Sequence, residues 1–199
     1  MQEELKIMEE QEVWTVVPIP NRNIVGSKWV FRIKKDENRK VTRFKARLVA
    51  KGFTQQPGVD FDEVFSPVVR FDTLRVLIAK TVQQQGWSAI QLDIKAAFLY
   101  GTLHEEIYMV LPEGQQEEGM CAKLNKSIYG LKQSPREWYA RLTTYLLQLG
   151  FNTCTFDPCV FTNGTSIIAV YVDDISIFGP LDEIGQIKEL LRTPYMYVS

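Results

Sequence analysis

Asp173 and Asp174 stand side by side in the middle of a strongly apolar run, Ile167-Ile-Ala-Val-Tyr-Val-Asp-Asp-Ile-Ser-Ile-Phe178. Aspartate disfavours β structure and adjacent like charges repel, so something is expected to neutralise them. Asp93 offers a third carboxylate in a second apolar context, Ile90-Gln-Leu-Asp-Ile-Lys95. Hard oxygen ligands of this kind suit Mg2+, with Mn2+ as a substitute. Two such ions, roughly 3.5–4 Å apart, can activate an attacking oxygen and stabilise a leaving one in phosphoryl transfer. An isolated pair of aspartates is more often a polar turn than a metal site, so the flanking sequence has to decide. Competing chemistries find little support. His104 is the only histidine and reads as a surface residue, and the absence of a Gly-Lys-Ser/Thr loop argues against a P-loop nucleotidase.

The period of the apolar residues predicts the elements that position these groups. In the segment around Asp93, Ile90, Leu92 and Ile94 alternate with Gln91, Asp93 and Lys95, which places Asp93 on the open face of a strand. The run around Asp173 and Asp174 reads as strand, tight turn, strand. Between these segments, Ser134-Pro-Arg-Glu137 has the composition of a capping box with Pro135 at the first helical position. The helix it starts carries Trp138, Leu142, Tyr145 and Leu149 as its buried stripe and stops at Gly150. A further helix is expected from an Asp72 cap to Gly86, with Leu74, Leu77, Ile78 and Val82 inward. A short helix is predicted over Gln2 to Glu10, with Leu5 and Met8 on one side, followed by a strand from Val13 to Val17. Trp29 to Ile33 and Phe44 to Ala50 read as strands of a hairpin turned by Asp36-Glu-Asn. Gly52 to Pro67 reads as a loop, Gly114 to Gly119 as a polar connection, and Ile184, Ile187 and Leu191 as a last amphipathic stretch. No pattern emerges from Arg192 to Ser199.

Composition is that of an ordinary globular chain: 199 residues, 45% hydrophobic and 24% charged. No apolar run approaches the roughly 20 residues that span a bilayer, and the acidic start lacks the pattern of a signal peptide, so an intracellular setting is expected. Cys121, Cys154 and Cys159 lack metal or redox spacing and read as free thiols. Net charge is −1, which by itself argues against a nucleic-acid partner. The distribution reverses that impression. Eleven Lys or Arg against two acids between Asn21 and Lys51 give that segment a formal charge of +9. The alternatives are a solvated hairpin surface and a surface that neutralises phosphates.

Tyr171-Val-Asp-Asp174 resembles the Tyr-x-Asp-Asp signature of reverse transcriptases, and Gln91-Leu-Asp-Ile-Lys-Ala-Ala-Phe98 resembles the first metal-binding motif of the same enzymes. Ser134-Pro135 lies between them, as in the family's nucleotide-binding motif. Arg47-Leu-Val-Ala-Lys-Gly-Phe-Thr-Gln55, Gly58-Val-Asp-Phe-Asp-Glu-Val-Phe-Ser-Pro-Val68 and Ser127-Ile-Tyr-Gly-Leu-Lys-Gln-Ser-Pro-Arg136 look like the copia-type retrotransposon polymerase. The resemblance covers Trp14 to Gly179.

It implies an α+β right-hand polymerase fold, with fingers at about 1–67 and 101–133, and an antiparallel palm sheet flanked by helices at about 68–100 and 134–199. Asp93 and Asp173 would ligate metal, helped by the carbonyl of Ile94, with Asp174 completing the acidic cluster. Ala96 and Ala97 would let the backbone approach a triphosphate, and Phe98 would be the aromatic gate that excludes a ribose 2′-OH. Lys45 and Arg47 are both candidates for the incoming nucleotide, since a transferring polyanion needs fixed positive charge. Gly130 and Gln133 would line the nucleotide pocket. Lys34, Lys35, Ser134, Pro135, Tyr171 and Val172 would meet template and primer. Implied partners are an RNA or DNA template with primer, dNTPs, and the integrase and RNase H domains of a polyprotein, working in a cytoplasmic particle, with the nucleus as an alternative. No thumb is visible after the palm hairpin, so the chain reads as a truncated remnant. Two functions follow: a two-metal RNA-directed DNA polymerase, or a non-catalytic nucleic-acid-binding piece. A two-metal nuclease is disfavoured, since hydrolysis gives Phe98 and Ser134-Pro135 no role.

Overall fold

The computed structural model describes residues 1–192. In chain order the elements are α1 (Gln2–Glu10), β1 (Trp14–Pro18), β2 (Ile24–Val25), β3 (Ser27–Lys35), β4 (Val41–Ala50), α2 (Phe71–Gln83), β5 (Trp87–Asp93), β6 (Tyr108–Met109) and β7 (Met120–Leu124). Then follow α3 (Ser134–Gln148), β8 (Asn152–Thr153), β9 (Val160–Thr162), β10 (Ile167–Tyr171), β11 (Asp174–Pro180) and α4 (Leu181–Leu191). Helices and sheets thus mix in an α+β arrangement. The stretch from Arg192 to Ser199, in which no pattern is read, lies outside the described residues apart from Arg192.

Two compact units make up the chain, and the backbone passes between them twice before crossing again within α3. The first holds Met1–Phe65 and Gly101–Trp138. It contains a four-stranded sheet in the order β1-β7-β6-β2, antiparallel except for β2 on β6, and the separate antiparallel ribbon β3-β4. Met8, Val13, Val25, Met109, Ala122 and Ile128 are among its buried side chains. The ribbon turns where expected: Asp36 Oδ1 accepts the Lys40 N–H at 2.8 Å, and Arg39 takes a positive φ of 61°.

The second unit holds Ser66–Tyr100 and the described residues from Tyr139 on. Its antiparallel sheet runs β5-β11-β10-β9-β8, with α2 and α4 packed against β5 and β11. Alternation works as the sequence predicts. Leu92, Ile168, Val170, Ile175 and Ile177 are buried on one side, and Gln91 and Asp93 are exposed on the other.

Three local expectations are corrected. Asp72 is not the cap of α2. The N-cap is Arg70, and Asp72 sits in the first turn, accepting from Arg75. A distant residue serves that helix start instead: buried Asp157 accepts the Arg70 N–H at 3.1 Å and the Thr73 hydroxyl at 2.8 Å through Oδ2. The predicted inward stripe of α2 is also narrower, since Leu77 is buried while Ile78 and Val82 stand exposed. The capping box at Ser134 does not form. The Glu137 N–H donates to the Gln133 carbonyl, so the helix begins one residue earlier, and the Ser134 hydroxyl donates to the Ile128 carbonyl at 2.6 Å. Pro135 remains in the first turn, where its missing N–H costs nothing. Along α3 the fully buried stripe is Trp138, Leu142 and Leu146. Its end at Gly150 (φ +87°) matches the expectation, with Phe151 N–H reaching back to Leu146 and Gly150 N–H to Leu147 in a Schellman arrangement.

Candidate active site

Asp93, Asp173 and Asp174 all lie at one end of the β5-β11 pair. Asp93 closes β5 and is the register partner of Asp174, which opens β11. Opposed residues of an antiparallel pair point to the same face, so these two carboxylates share the open side of the sheet. Asp173 lies in the two-residue connection between β10 and β11, where Tyr171 pairs with Asp174. Its carbonyl accepts the Ile94 N–H at 2.9 Å, which ties the turn to the chain just past Asp93. Val172, the first connecting residue, has φ +57°. That places it as the first central residue of a II′-type turn, whose twist suits a hairpin, although a β-branched side chain is strained there. Ala96 takes a comparable φ of +56° just after β5. Sparsely populated backbone conformations persist where surrounding structure enforces them, and both of these flank the carboxylates.

Neighbouring side chains define the rest of this face. Gln91 Nε2 donates to Asp174 Oδ1 at 3.1 Å. The rings of Phe71 and Tyr171 lie 6.1 Å apart, beside a cavity of about 240 Å3 lined by Val69, Leu74, Gln91, Asp174 and Ser176 among others. Ala97 is fully buried and Phe98 half-buried in the 3-10 turn Ala97–Tyr100 that follows β5. Gln91 is a residue that motif reading passed over. Its signal was present in the alternation that set it on the same open face as Asp93.

Among the described residues no group of three or more acidic, histidine or cysteine side chains forms a ready-made metal cage. Mg2+ keeps several waters and is commonly held by one or two carboxylates together with substrate phosphates. Asp93, Asp173 and the Ile94 carbonyl supply an all-oxygen set of the right hardness.

The cationic candidates belong to the first unit. Register places Lys28, Val30, Arg32 and Lys34 on one face of the ribbon opposite Val49, Arg47, Lys45 and Arg43. The other face carries Trp29, Phe31 and Ile33 opposite Leu48, Ala46 and Phe44. The ribbon is therefore basic on one side and apolar on the other, with Lys35 displaced by an irregularity after Lys34. Arg47 lies 5.0 Å over the Tyr129 ring, a cation–π contact that draws the guanidinium toward the Tyr129-Gly130 corner. Gly130 has φ +94°, and a Cβ there would stand 2.1 Å from the Ala50 carbonyl oxygen, so only glycine fits against the end of β4.

Gln133 and Ser134 lie where the chain enters α3. Both are fully buried. Gln133 Nε2 donates to the Asp60 carbonyl at 2.8 Å and its Oε1 accepts from Gln55 at 3.0 Å, while the Lys132 N–H donates to Gln55 Oε1 at 2.8 Å. Buried amides must satisfy their hydrogen bonds internally, and this network does so by fastening the segment before α3 to the Gln55–Asp60 loop. Glu137, also buried, accepts from Arg136 and faces His104 Nε2 at 3.7 Å.

The chain belongs to the reverse transcriptase (RNA-dependent DNA polymerase) family, whose pattern it matches over residues 11–196. Its relatives come from retrotransposons. It is 43% identical over 188 residues to the retrovirus-related Pol polyprotein from transposon TNT 1-94 of Nicotiana tabacum, which covers 90% of this chain and 14% of that protein. Identity is 45% over 175 residues to the Pol polyprotein from transposon RE2 of Arabidopsis thaliana, covering 83% of this chain and 12% of the relative. A Ty1 Gag-Pol polyprotein of Saccharomyces cerevisiae is 30% identical over 193 residues, 96% of this chain and 12% of the relative. The chain thus spans only 12–14% of the length of these relatives. The family match also runs past Gly179, beyond the motifs that first carried the resemblance.

Proposed function

We propose that this chain is the fingers and palm of a copia-type reverse transcriptase, and that it catalyses template-directed transfer of deoxynucleotides by a two-metal-ion mechanism. The observation that carries this reading is the pairing of Asp93 with Asp174, together with the backbone bond from Ile94 to Asp173. Motifs far apart in the sequence thereby become one acidic corner. Division into two units at residues close to those the motifs imply supports reading the first as fingers and the second as palm.

In this reading Asp93, Asp173 and the Ile94 carbonyl hold magnesium, which when bound neutralises charge on the phosphates and lowers the pKa of the attacking hydroxyl. The positive φ at Ala96 and the small side chains of Ala96 and Ala97 bring backbone close to the triphosphate. Phe98 guards the ribose. Lys45 and Arg47, on the basic face of the ribbon, meet the phosphates of the incoming dNTP, and Tyr129 orients Arg47. Lys34 and Lys35 meet template phosphates, and Tyr171 and Val172 meet the primer terminus. Gly130 and Gln133 line the nucleotide pocket and Ser134 and Pro135 meet the template, with Gln133 and Ser134 acting through backbone because their side chains are buried.

The partners are then an RNA or DNA template with primer, dNTPs, and the integrase and RNase H portions of a Pol polyprotein, inside a cytoplasmic virus-like particle. Among the described residues no helix is long and apolar enough to cross a membrane. Primer extension with Mg2+ or Mn2+ tests the reading, on the chain alone and joined to the downstream segment of a relative's polyprotein. Incorporation in either form is the expected result. Failure in both, with template still bound, favours the alternative of a non-catalytic nucleic-acid-binding piece.

A further inference from the structure

We propose that Gln91 is a positioning residue that sets how far the Asp174 carboxylate takes part in metal binding. The inference rests on the reading of Asp93 and Asp173 as the metal ligands and deepens it. Asp93 and Asp174 are directly opposed, and in that arrangement two like charges destabilise the strand pair. Gln91 is the diagonal neighbour of Asp174, two residues before Asp93 on the same exposed face. Its amide donates to Asp174 Oδ1 at 3.1 Å. An N–H on that oxygen offsets part of the charge and draws the carboxylate along the sheet toward position 91, away from Asp93. Asp174 is left with one oxygen engaged. Its part in holding a metal is therefore restrained relative to that of Asp93 and Asp173, and Gln91 sets the restraint.

The same geometry predicts a coupling. Removing the amide frees Asp174 Oδ1 for a divalent ion, so the effect of a change at 91 must depend on the residue at 174. Gln91→Leu removes the donor with little change in bulk, and because Gln91 is exposed the substitution leaves the core alone. Free Mn2+ is measured by its paramagnetic resonance signal during titration of the whole chain, without nucleotide. Gln91→Leu is expected to tighten Mn2+ binding by about tenfold, the worth of one charge-assisted hydrogen bond. In an Asp174→Asn background the gain is expected to vanish. Gln91→Met repeats the measurement with a second donor-free side chain. An unchanged affinity in both single variants, or a gain in the Asp174→Asn background equal to that with Asp174 in place, overturns the proposal. If Asp93→Asn and Asp173→Asn leave Mn2+ binding untouched, the metal reading itself has failed, and the two failures are told apart by which variants are silent.

Discussion

At the scale of single residues, the acidic corner sets demands that substitutions can test. Asp173→Asn keeps the shape of the side chain and removes its charge, and the Asp173 carbonyl that anchors Ile94 is backbone and unaffected. Incorporation is expected to fall by more than about a hundredfold, the scale of losing one preorganised electrostatic contact in a reaction of this class. The circular-dichroism spectrum and melting midpoint should be retained, and unchanged turnover would refute the assignment. Phe98→Ala is expected to admit ribonucleotides, read as a rise in the ratio of ribo- to deoxynucleotide incorporation. A third residue makes a chemical prediction. Cys159 is fully buried, and burial first, then the Asp157 carboxylate, push its thiol up to about 12. Since only the thiolate is nucleophilic, Cys159 should stay unlabelled by iodoacetamide between about pH 7 and 9 in the folded protein, while half-buried Cys154 reacts. Labelling of Cys159 ahead of unfolding would contradict the packing.

Elements were legible in the sequence wherever one period or one turn dominated. The alternation at Ile90, Leu92 and Ile94 placed Asp93 correctly, and the apolar hairpin around Asp173 formed as read. The cap of α2 was not legible, because its partner comes from far along the chain. Asp72 has the composition of a cap, yet α2 is served by Asp157, 87 residues beyond Arg70. Nothing local in either segment encodes that pairing. Likewise nothing local to Gln133 encodes the bonds of its amide to Gln55 and Asp60. Asp157 gives the test at this scale. It also accepts the Cys159 N–H at 3.1 Å, so Asp157→Ala strands one buried backbone donor and, in a part-buried setting, a second backbone donor and a hydroxyl. The cost is expected to be about 3 kcal/mol, with early hydrogen exchange at the start of α2. Loss of less than a few tenths would show that water replaces the carboxylate.

The whole molecule carries a net charge of −1, so any attraction to nucleic acid has to come from how its charge is distributed. Register gathers Lys28, Arg32, Lys34, Arg43, Lys45 and Arg47 on one face of the β3-β4 ribbon, while acids concentrate in α1 and elsewhere. Not all of these cations are equally available: Arg43 Nη2 is paired with Glu3 at 2.8 Å, and Arg47 is drawn to Tyr129. A polymer of phosphates binding this face releases counterions, so affinity should fall as a power of salt concentration. Lys34→Gln combined with Lys35→Gln should lower the slope of log affinity against log salt by about 1.4 for a single strand, or about 1.8 for a duplex. Base sequence should not alter that change. Glu3→Gln, which releases Arg43, should move the affinity the other way at low salt, and the difference should disappear as salt screens it. Fluorescence anisotropy of a labelled oligonucleotide across a salt series measures all three. A slope that is insensitive to the Lys34 and Lys35 changes would place the phosphate track somewhere other than the ribbon.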